Sequence, residues 1–301
     1  MNCTVVIRSA SERTSDSCEK LVRKELPTSV SITKIELKPF EATLRKSYEI
    51  GLESGKEFLI TIDADVLPRP GALGDLLSYI KKTPENVLQL EGYLFDGILL
   101  KYRKGGVKLY RAVHLDKALG HIPAYGHSIR PESYTLRKMK AAGYPSKNVY
   151  IVAGIHDFGQ YKRDLYRKSY IHAIKHPKEV SETLPRWAEL SKSNSDYLIV
   201  MQGVFDGLLD EGDVKIDTRD FIKSSQNALN KMNLSENQPI KDVIITENLV
   251  KEILSSCEPL FPPVSIQKLK FNIRKKGLGS TINHIISSAL FIAAKKLSTQ
   301  D

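Results

Sequence analysis

Short apolar, β-branched blocks alternate along this chain with longer stretches in which apolar positions recur at helical spacing. Thr4-Val5-Val6-Ile7-Arg8 is a block suited to a buried parallel strand, and Ser9 to Glu25 follows with caps and helix formers. Ser31 to Leu37 alternates as a second strand, Pro39 stops it, and Glu41 to Ser54 reads as a helix. Glu57 to Ile62 predicts a third strand that ends abruptly at Asp63-Ala64-Asp65. A loop marked by Pro68 and Pro70 leads into a helix over Gly71 to Lys82. Strand-like segments at Val87 to Phe95 and Val107 to His114 flank Gly105-Gly106, which predicts a hairpin turning there. A helix over Pro131 to Ala142 closes at Gly143, and a strand over Asn148 to Ala153 ends at Gly154-Ile155-His156-Asp157. This alternation predicts βαβ units around a mainly parallel sheet flanked by helices, the α/β class. Beyond Phe158 the pattern is mainly helical, so the expected division is 1–178 and a helical C-terminal region, 179–301, with a soft boundary near Lys178.

The composition, with 41% hydrophobic and 27% charged residues in 301, is that of an ordinary globular chain and excludes collagen-like or wholly disordered readings. Cys3, Cys18 and Cys257 are too dispersed for a disulfide framework or a paired-cysteine zinc site, so reduced thiols and a cytoplasmic setting are expected. The first apolar run stops at Arg8, unlike a secretory signal, and no run of about 18 apolar residues predicts a membrane span. The formal charge of +10 points to an anionic partner. Much of that excess lies between Val264 and Asp301, where Lys268, Lys270, Arg274, Lys275, Lys276, Lys295 and Lys296 face Asp301 alone. Ile282, Ile285, Ile286, Ala289, Leu290, Ala293 and Leu297 recur there at helical spacing. That amphipathic helix would either pack on the protein's own core or lie on the cytoplasmic face of an anionic bilayer.

The chemistry-bearing motif is Asp63-Ala64-Asp65. Ligands of open α/β sheets bind outside the carboxyl ends of the strands, and two carboxylates at such an end suit a hard divalent cation, Mg²⁺ or Mn²⁺, that bridges a diphosphate. The alternative is a pair of solvated turn aspartates. With Val5 to Ser9 opening the chain, Phe58 to Leu67 containing the motif and Pro70-Gly71-Ala72-Leu73 after it, residues 3 to 170 resemble the nucleotide-sugar half of GT-A glycosyltransferases, nearest to family 2.

The resemblance implies a GT-A fold, the nucleotide-diphospho-sugar transferase type. It also implies transfer of a sugar from a nucleotide-sugar donor, UDP favoured, to a glycan, lipid-linked or protein acceptor, as in polysaccharide synthesis. Carried over by position, Asp63 and Asp65 become metal and ribose-phosphate residues, and Arg8, Ser9 and Glu12 line the nucleotide pocket. Arg45 takes the place of a donor-side arginine, its alternative being a solvated helix face. The family's acidic segment after the second strand is replaced by Glu36-Leu37-Lys38-Pro39-Phe40. At His156-Asp157, the place of the family's acidic pair, Asp157 becomes the catalytic base for a single displacement with inversion. His156 becomes a ligand of the metal, a phosphate contact or an acceptor contact, against a buried structural role; Asp157 also suits a helix N-cap.

Gln160, Arg163, Tyr166 and Arg167 fall near one another on the following helix, either reaching the leaving diphosphate or forming a solvated face. Lys175, His176, Tyr110-Arg111 and Arg130-Pro131-Glu132 are weaker candidates, and Trp187 suits a core or interface. Two other classes compete. A nucleotidyltransferase also combines an α/β sheet with metal-binding carboxylates, but the first strand lacks a glycine-rich phosphate loop. A noncatalytic nucleic-acid-binding protein would suit the charge, but no RRM, KH, helix-turn-helix or zinc-finger signature is present, so nucleic acid is not the expected partner.

Overall fold

The computed structural model describes residues 1–212, 217–240 and 245–257. The amphipathic and basic segment at 264–301 lies outside the described residues, and with it the expected membrane contact. In chain order the elements are β1 (Cys3–Arg8), α1 (Ser15–Glu25), β2 (Ile32–Ile35), α2 (Phe40–Glu53), β3 (Phe58–Asp63), β4 (Val66–Pro68) and α3 (Ala72–Ile80). There follow β5 (Gln89–Asp96), β6 (Lys101–Arg111), α4 (Leu115–Leu119), α5 (Pro131–Ala141) and β7 (Ser146–His156). The last described elements are α6 (Lys162–Lys175), α7 (Pro177–Leu190), α8 (Asp196–Leu209), α9 (Ile222–Lys231) and α10 (Glu247–Ser256). Residues Met1–Leu254 form one compact unit. The boundary expected near Lys178 falls inside that unit, in the first turn of α7.

The strands form one seven-stranded sheet in the order β2-β1-β3-β6-β5-β7-β4, flanked by helices in the expected α/β class. Its pairings divide equally. The β1–β2, β1–β3 and β5–β7 pairs are parallel, and β3–β6, β5–β6 and β4–β7 are antiparallel, so the sheet is mixed rather than mainly parallel. The parallel half is the βαβ unit that the alternating pattern predicts. The antiparallel half comes from the β5–β6 hairpin and from β4, a three-residue strand reached directly after the Asp63–Asp65 turn.

Strand periodicity sorts the core. Cys3, Val5 and Ile7 of β1 and Phe58, Ile60 and Ile62 of β3 share one face with Cys18 and Val22 of α1 and Leu73, Leu76 and Leu77 of α3. Val6 and Leu59 point to the opposite face, against Leu44 and Tyr48 of α2, Leu115 of α4 and Met139 of α5. A third cluster joins α6, α7, α8 and α9 to Ile98 and Leu99 of the β5–β6 connection, and Trp187 Nε1 donates to Ile98 O at 2.5 Å. Trp187 is fully buried.

The hairpin turns at Asp96-Gly97, not at Gly105-Gly106. Asp96 Oδ1 accepts from the backbone N–H of Ile98 at 3.0 Å and of Leu99 at 2.8 Å, an Asx-type turn that competes well with the glycine pair. Gly106 instead lies within β6 at φ 70°, where a Cβ would meet Leu94 Cδ1 and Val66 Cγ2, both at 2.6 Å. The glycine is there for close approach beneath β4.

Helix α8 packs its backbone onto α6 through Gly203 and Gly207, where added Cβ atoms would stand 2.4 Å from Tyr166 O and Tyr170 O. Since α6 carries residues that line the cavity described next, this contact also sets the site. Gly207→Ala should force the helices apart and destabilise the fold by about 1–3 kcal/mol, read as a lowered midpoint in urea unfolding.

Candidate active site

Strand register, not sequence proximity, gathers the polar residues. His156 at the end of β7 pairs with Val66 of β4 on one side and with Asp96 of β5 on the other. Asp157 follows at φ 58°, a left-handed conformation that costs a non-glycine residue energy and is often found at functional sites. Its N–H donates to Asp65 O at 3.1 Å, which fixes the turn after β7 against the turn after β3. In the parallel half, Arg8 pairs with Asp63.

Two buried networks result. In the first, His156 Nδ1 lies 2.7 Å from Asp157 Oδ2 and 3.4 Å from Asp96 Oδ2, while Nε2 lies 3.5 Å from Asp65 Oδ2. Lys168 Nζ, from α6, bridges the two motif ends: it binds Asp65 Oδ2 at 2.5 Å and Asp157 Oδ1. Arg103 Nε bonds Asp96, and its Nη2 stands 3.0 Å from His156 Nδ1. In the second network, Arg8 donates to Asp63 Oδ1 from Nε at 2.8 Å and to Glu132 Oε1 from Nη1 at 2.9 Å. Tyr110 and Lys108 also donate to Glu132, and the Arg8 guanidinium lies over the Phe40 ring at 5.3 Å.

Charge partners outweigh desolvation in both. Burial opposes the Asp65 carboxylate, but His156 and Lys168 hold it well below the usual range. Burial opposes the His156 imidazolium too, yet Asp157 and Asp65 lift its pKa to about 10 against the contrary push of Arg103. Glu132 is likewise held low by Arg8 and Lys108 in spite of burial. Burial raises Glu12 to about 7, and the Asp65 charge adds to it.

One cavity of about 680 Å³ is lined by Arg8, Ser9, Glu12, Asp63, Asp65, His156 and Asp157, so the structure brings together every expected site residue but one. Arg45 is exposed on α2 and lies outside the lining, on the solvated helix face that was its alternative. Ser9 Oγ donates to Glu12 Oε2 at 3.1 Å, tying the loop after β1. Asp157 caps no helix, because α6 starts at Lys162 behind Tyr161. Of the weaker candidates, Arg130, Glu132, Arg167, Lys175 and His176 line the cavity. Gln160 is buried on Thr14 Oγ1 at 2.9 Å, Tyr166 donates to Asp206, and Arg163 is exposed over Tyr161. Arg111 is buried against the carbonyls of Ile80 and Thr83. Sequence reasoning missed Lys168, Asp96 and Arg103; the Asp96-Gly97 turn signal was the one available pointer.

Asp65, His156 and Asp157 offer ligand atoms within 4.8 Å of one another, and Asp65 Oδ1 is buried with no hydrogen-bond partner. Two carboxylates and an imidazole with one unsatisfied oxygen fit a divalent cation such as Mn²⁺, whose entry would displace the imidazole proton. Asp63 is not in this group; its Oδ1 is taken by Arg8.

Lys168→Met leaves two buried carboxylates without their ammonium and should cost about 3–5 kcal/mol at pH 7. Because the folded Asp65 pKa is depressed, this contribution is present above its ordinary value of 3.8 and is lost as pH falls below it. The difference in urea midpoint between the wild-type chain and the variant should therefore shrink towards pH 3.

No family model matches the chain, and no curated protein matches it. Solved structures do. A glycosyltransferase involved in glycosylation of the major capsid of PBCV-1 is 16% identical, with 50% of this chain and 82% of that chain covered at a TM-score of 0.37. A mannosyltransferase from Pyrobaculum calidifontis in complex with GDP-Man and Mn²⁺ is 12% identical, covering 79% and 76% at a TM-score of 0.41. A glucosyl-3-phosphoglycerate synthase from Mycobacterium tuberculosis in complex with Mn²⁺ and UDP is 12% identical, covering 50% and 70% at a TM-score of 0.32.

Proposed function

We propose that this chain is a glycosyltransferase that moves a sugar from a nucleoside-diphosphate sugar, UDP favoured, to a hydroxyl acceptor with a divalent cation. The observation that carries this reading is the buried Asp65, His156 and Asp157 group, with Asp65 Oδ1 unsatisfied, in the wall of a cavity of about 680 Å³. That volume lies within the range of small-molecule sites.

Arg8, Ser9 and Glu12 bound the nucleoside end, and Asp63, held by Arg8, faces the ribose. Asp65, with His156 and Asp157 beside it, would hold the cation, which when bound neutralises charge on the leaving diphosphate. Lys168 and Arg103 add fixed positive charge at the same place. Asp157 takes the proton of the acceptor hydroxyl. The acceptor oxygen then bonds to the anomeric carbon as the bond from that carbon to the diphosphate oxygen breaks. The nucleoside diphosphate departs and the configuration inverts. For Asp157 to act, its Oδ1 must exchange Lys168 for the acceptor hydroxyl.

Thermal unfolding with UDP, GDP, CMP and their sugar conjugates, each with Mn²⁺, Mg²⁺ or EDTA, tests the reading. One nucleotide family should raise the midpoint only with metal, as expected for a ligand of the native state, and Asp65→Asn should abolish the rise. Absence of any response, or release of pyrophosphate rather than nucleoside diphosphate on turnover, would sink it. Asp157→Asn should lose about 100-fold or more in transfer rate at saturating metal and donor, measured as nucleoside diphosphate released.

A further inference from the structure

Helix α6 stops where Pro177 forbids it to continue, because proline has no N–H to donate and disfavours the helical conformation in the residue before it. His176 accordingly leaves the helix at φ −146° and ψ 57°, and α7 starts afresh at Pro177. In an unbroken helix, residues seven apart stand about 10 Å from each other along the axis. Across this break Glu179, in the first turn of α7, returns to His172: its Oε2 lies 2.9 Å from His172 Nε2. The rings of His172 and His176 stand 4.8 Å apart between centroids. His172, His176 and Glu179 each offer a ligand atom within 4.8 Å of the others, and all three line the cavity.

Two imidazoles and one carboxylate are a zinc ligand set, and three protein ligands leave a fourth position open. With bonds of about 2.0–2.1 Å, neighbouring ligand atoms of a tetrahedral zinc stand about 3.4 Å apart, so His172 Nε2 and Glu179 Oε2 need to part by only about 0.5 Å. Burial lowers the pKa of His172 against the pull of Glu179, and it lowers His176 with Arg130 pushing the same way. Both rings are therefore neutral at pH 7, the form that ligates metal. Glu179 is oriented from behind, since its other oxygen, Oε1, binds Lys101 of β6. The neighbouring cations leave room: Lys175 Nζ is turned to Ile129 O at 3.3 Å, and Arg130, whose Nη2 contacts His176 Nε2, is exposed and can give up that lone pair for water.

We propose that His172, His176 and Glu179 bind a zinc ion whose fourth position opens to the cavity. The site has no ligand in common with the Asp65, His156 and Asp157 group, and it is built across the α6–α7 break rather than on strand ends. It does not depend on the glycosyl-transfer reading.

The test uses the full chain carrying Asp65→Asn, which disables the other group, after treatment with EDTA and dialysis. Titration calorimetry with Zn²⁺ should show one equivalent bound, with affinity falling at least tenfold when His176→Ala or Glu179→Gln is added. Zn²⁺ should also raise the thermal midpoint of the Asp65→Asn chain, as a ligand of the native state does, and should lose this effect with either added substitution. Co²⁺ used as the probe should give the visible bands of a tetrahedral centre without the near-ultraviolet band of a cobalt thiolate. Circular dichroism and urea unfolding in EDTA check that the added substitutions leave the chain folded. Where either unfolds it, the cobalt spectrum of the chain carrying Asp65→Asn alone decides.

No zinc binding by the Asp65→Asn chain overturns the proposal. So does an affinity that neither His176→Ala nor Glu179→Gln changes, or a cobalt thiolate band, which would give the metal to a cysteine.

Discussion

Asp65, Asp96 and Asp157 lie buried around one imidazole, a concentration of negative charge that an apolar interior does not tolerate without cations placed among it. Lys168 and Arg103 supply those cations, and they come from elements the strand ends do not contain. Lys168 sits on α6, and α6 is set by the close glycine contact with α8 and by the helical cluster around Trp187. Arg103 sits early in β6, where the β5–β6 turn returns the chain alongside Asp96. The helical layer after Asp157 is therefore part of the site. The third core cluster couples the position of the ammonium to the packing of four helices.

The Arg8 network obeys the same constraint at the other side of the cavity. Arg8 is 4% exposed and carries two carboxylates from distant segments, Asp63 and Glu132, with Tyr110 and Lys108 completing the shell of Glu132. This ties α5 to the carboxyl ends of β1 and β3. The two aspartates of the Asp63–Asp65 turn thus face different partners: one is held by an arginine as part of the wall, and the other keeps an oxygen free of any hydrogen bond. Their separation by a single buried residue, Ala64, whose N–H donates to Arg8 O at 2.9 Å, is what sends them to different networks.

The turn at Asp63 and the turn at His156-Asp157 were legible because strong strand periodicity stops at each of them, and strand ends are where an α/β sheet presents ligands. The partners were not, for reasons that differ by residue. Asp96 was passed over because the glycine pair at Gly105-Gly106 was read as the hairpin signal. Only the contact of Gly106 with Leu94 and Val66 shows what that pair is for. Lys168 was hidden by phase: counting from Asp157 places Gln160, Arg163 and Arg167 on one face, whereas α6 begins at Lys162 and turns Lys168 inward. Arg45 shows the converse. Its place on α2 matches a position on a pattern, but the face of that helix buried against the sheet belongs to Leu44 and Tyr48, so Arg45 points to solvent. Sequence spacing reports which residues share an element, and helix phase and strand register decide which of them meet.

Charge around the cavity is consequently uneven. Near the strand ends nearly every cation is already spent on a carboxylate: Arg8 on Asp63 and Glu132, Lys108 on Glu132, Arg103 on Asp96, and Lys168 on Asp65 and Asp157. Beyond Lys168 along α6, His172 Nε2 faces Glu179 Oε2 at 2.9 Å, whereas burial and the charges of Arg130 and Arg167 press on Lys175. A formal charge of +10 spread evenly over a surface would attract anions to no particular place. Here one stretch of the wall is neutralised internally around an unsatisfied carboxylate oxygen.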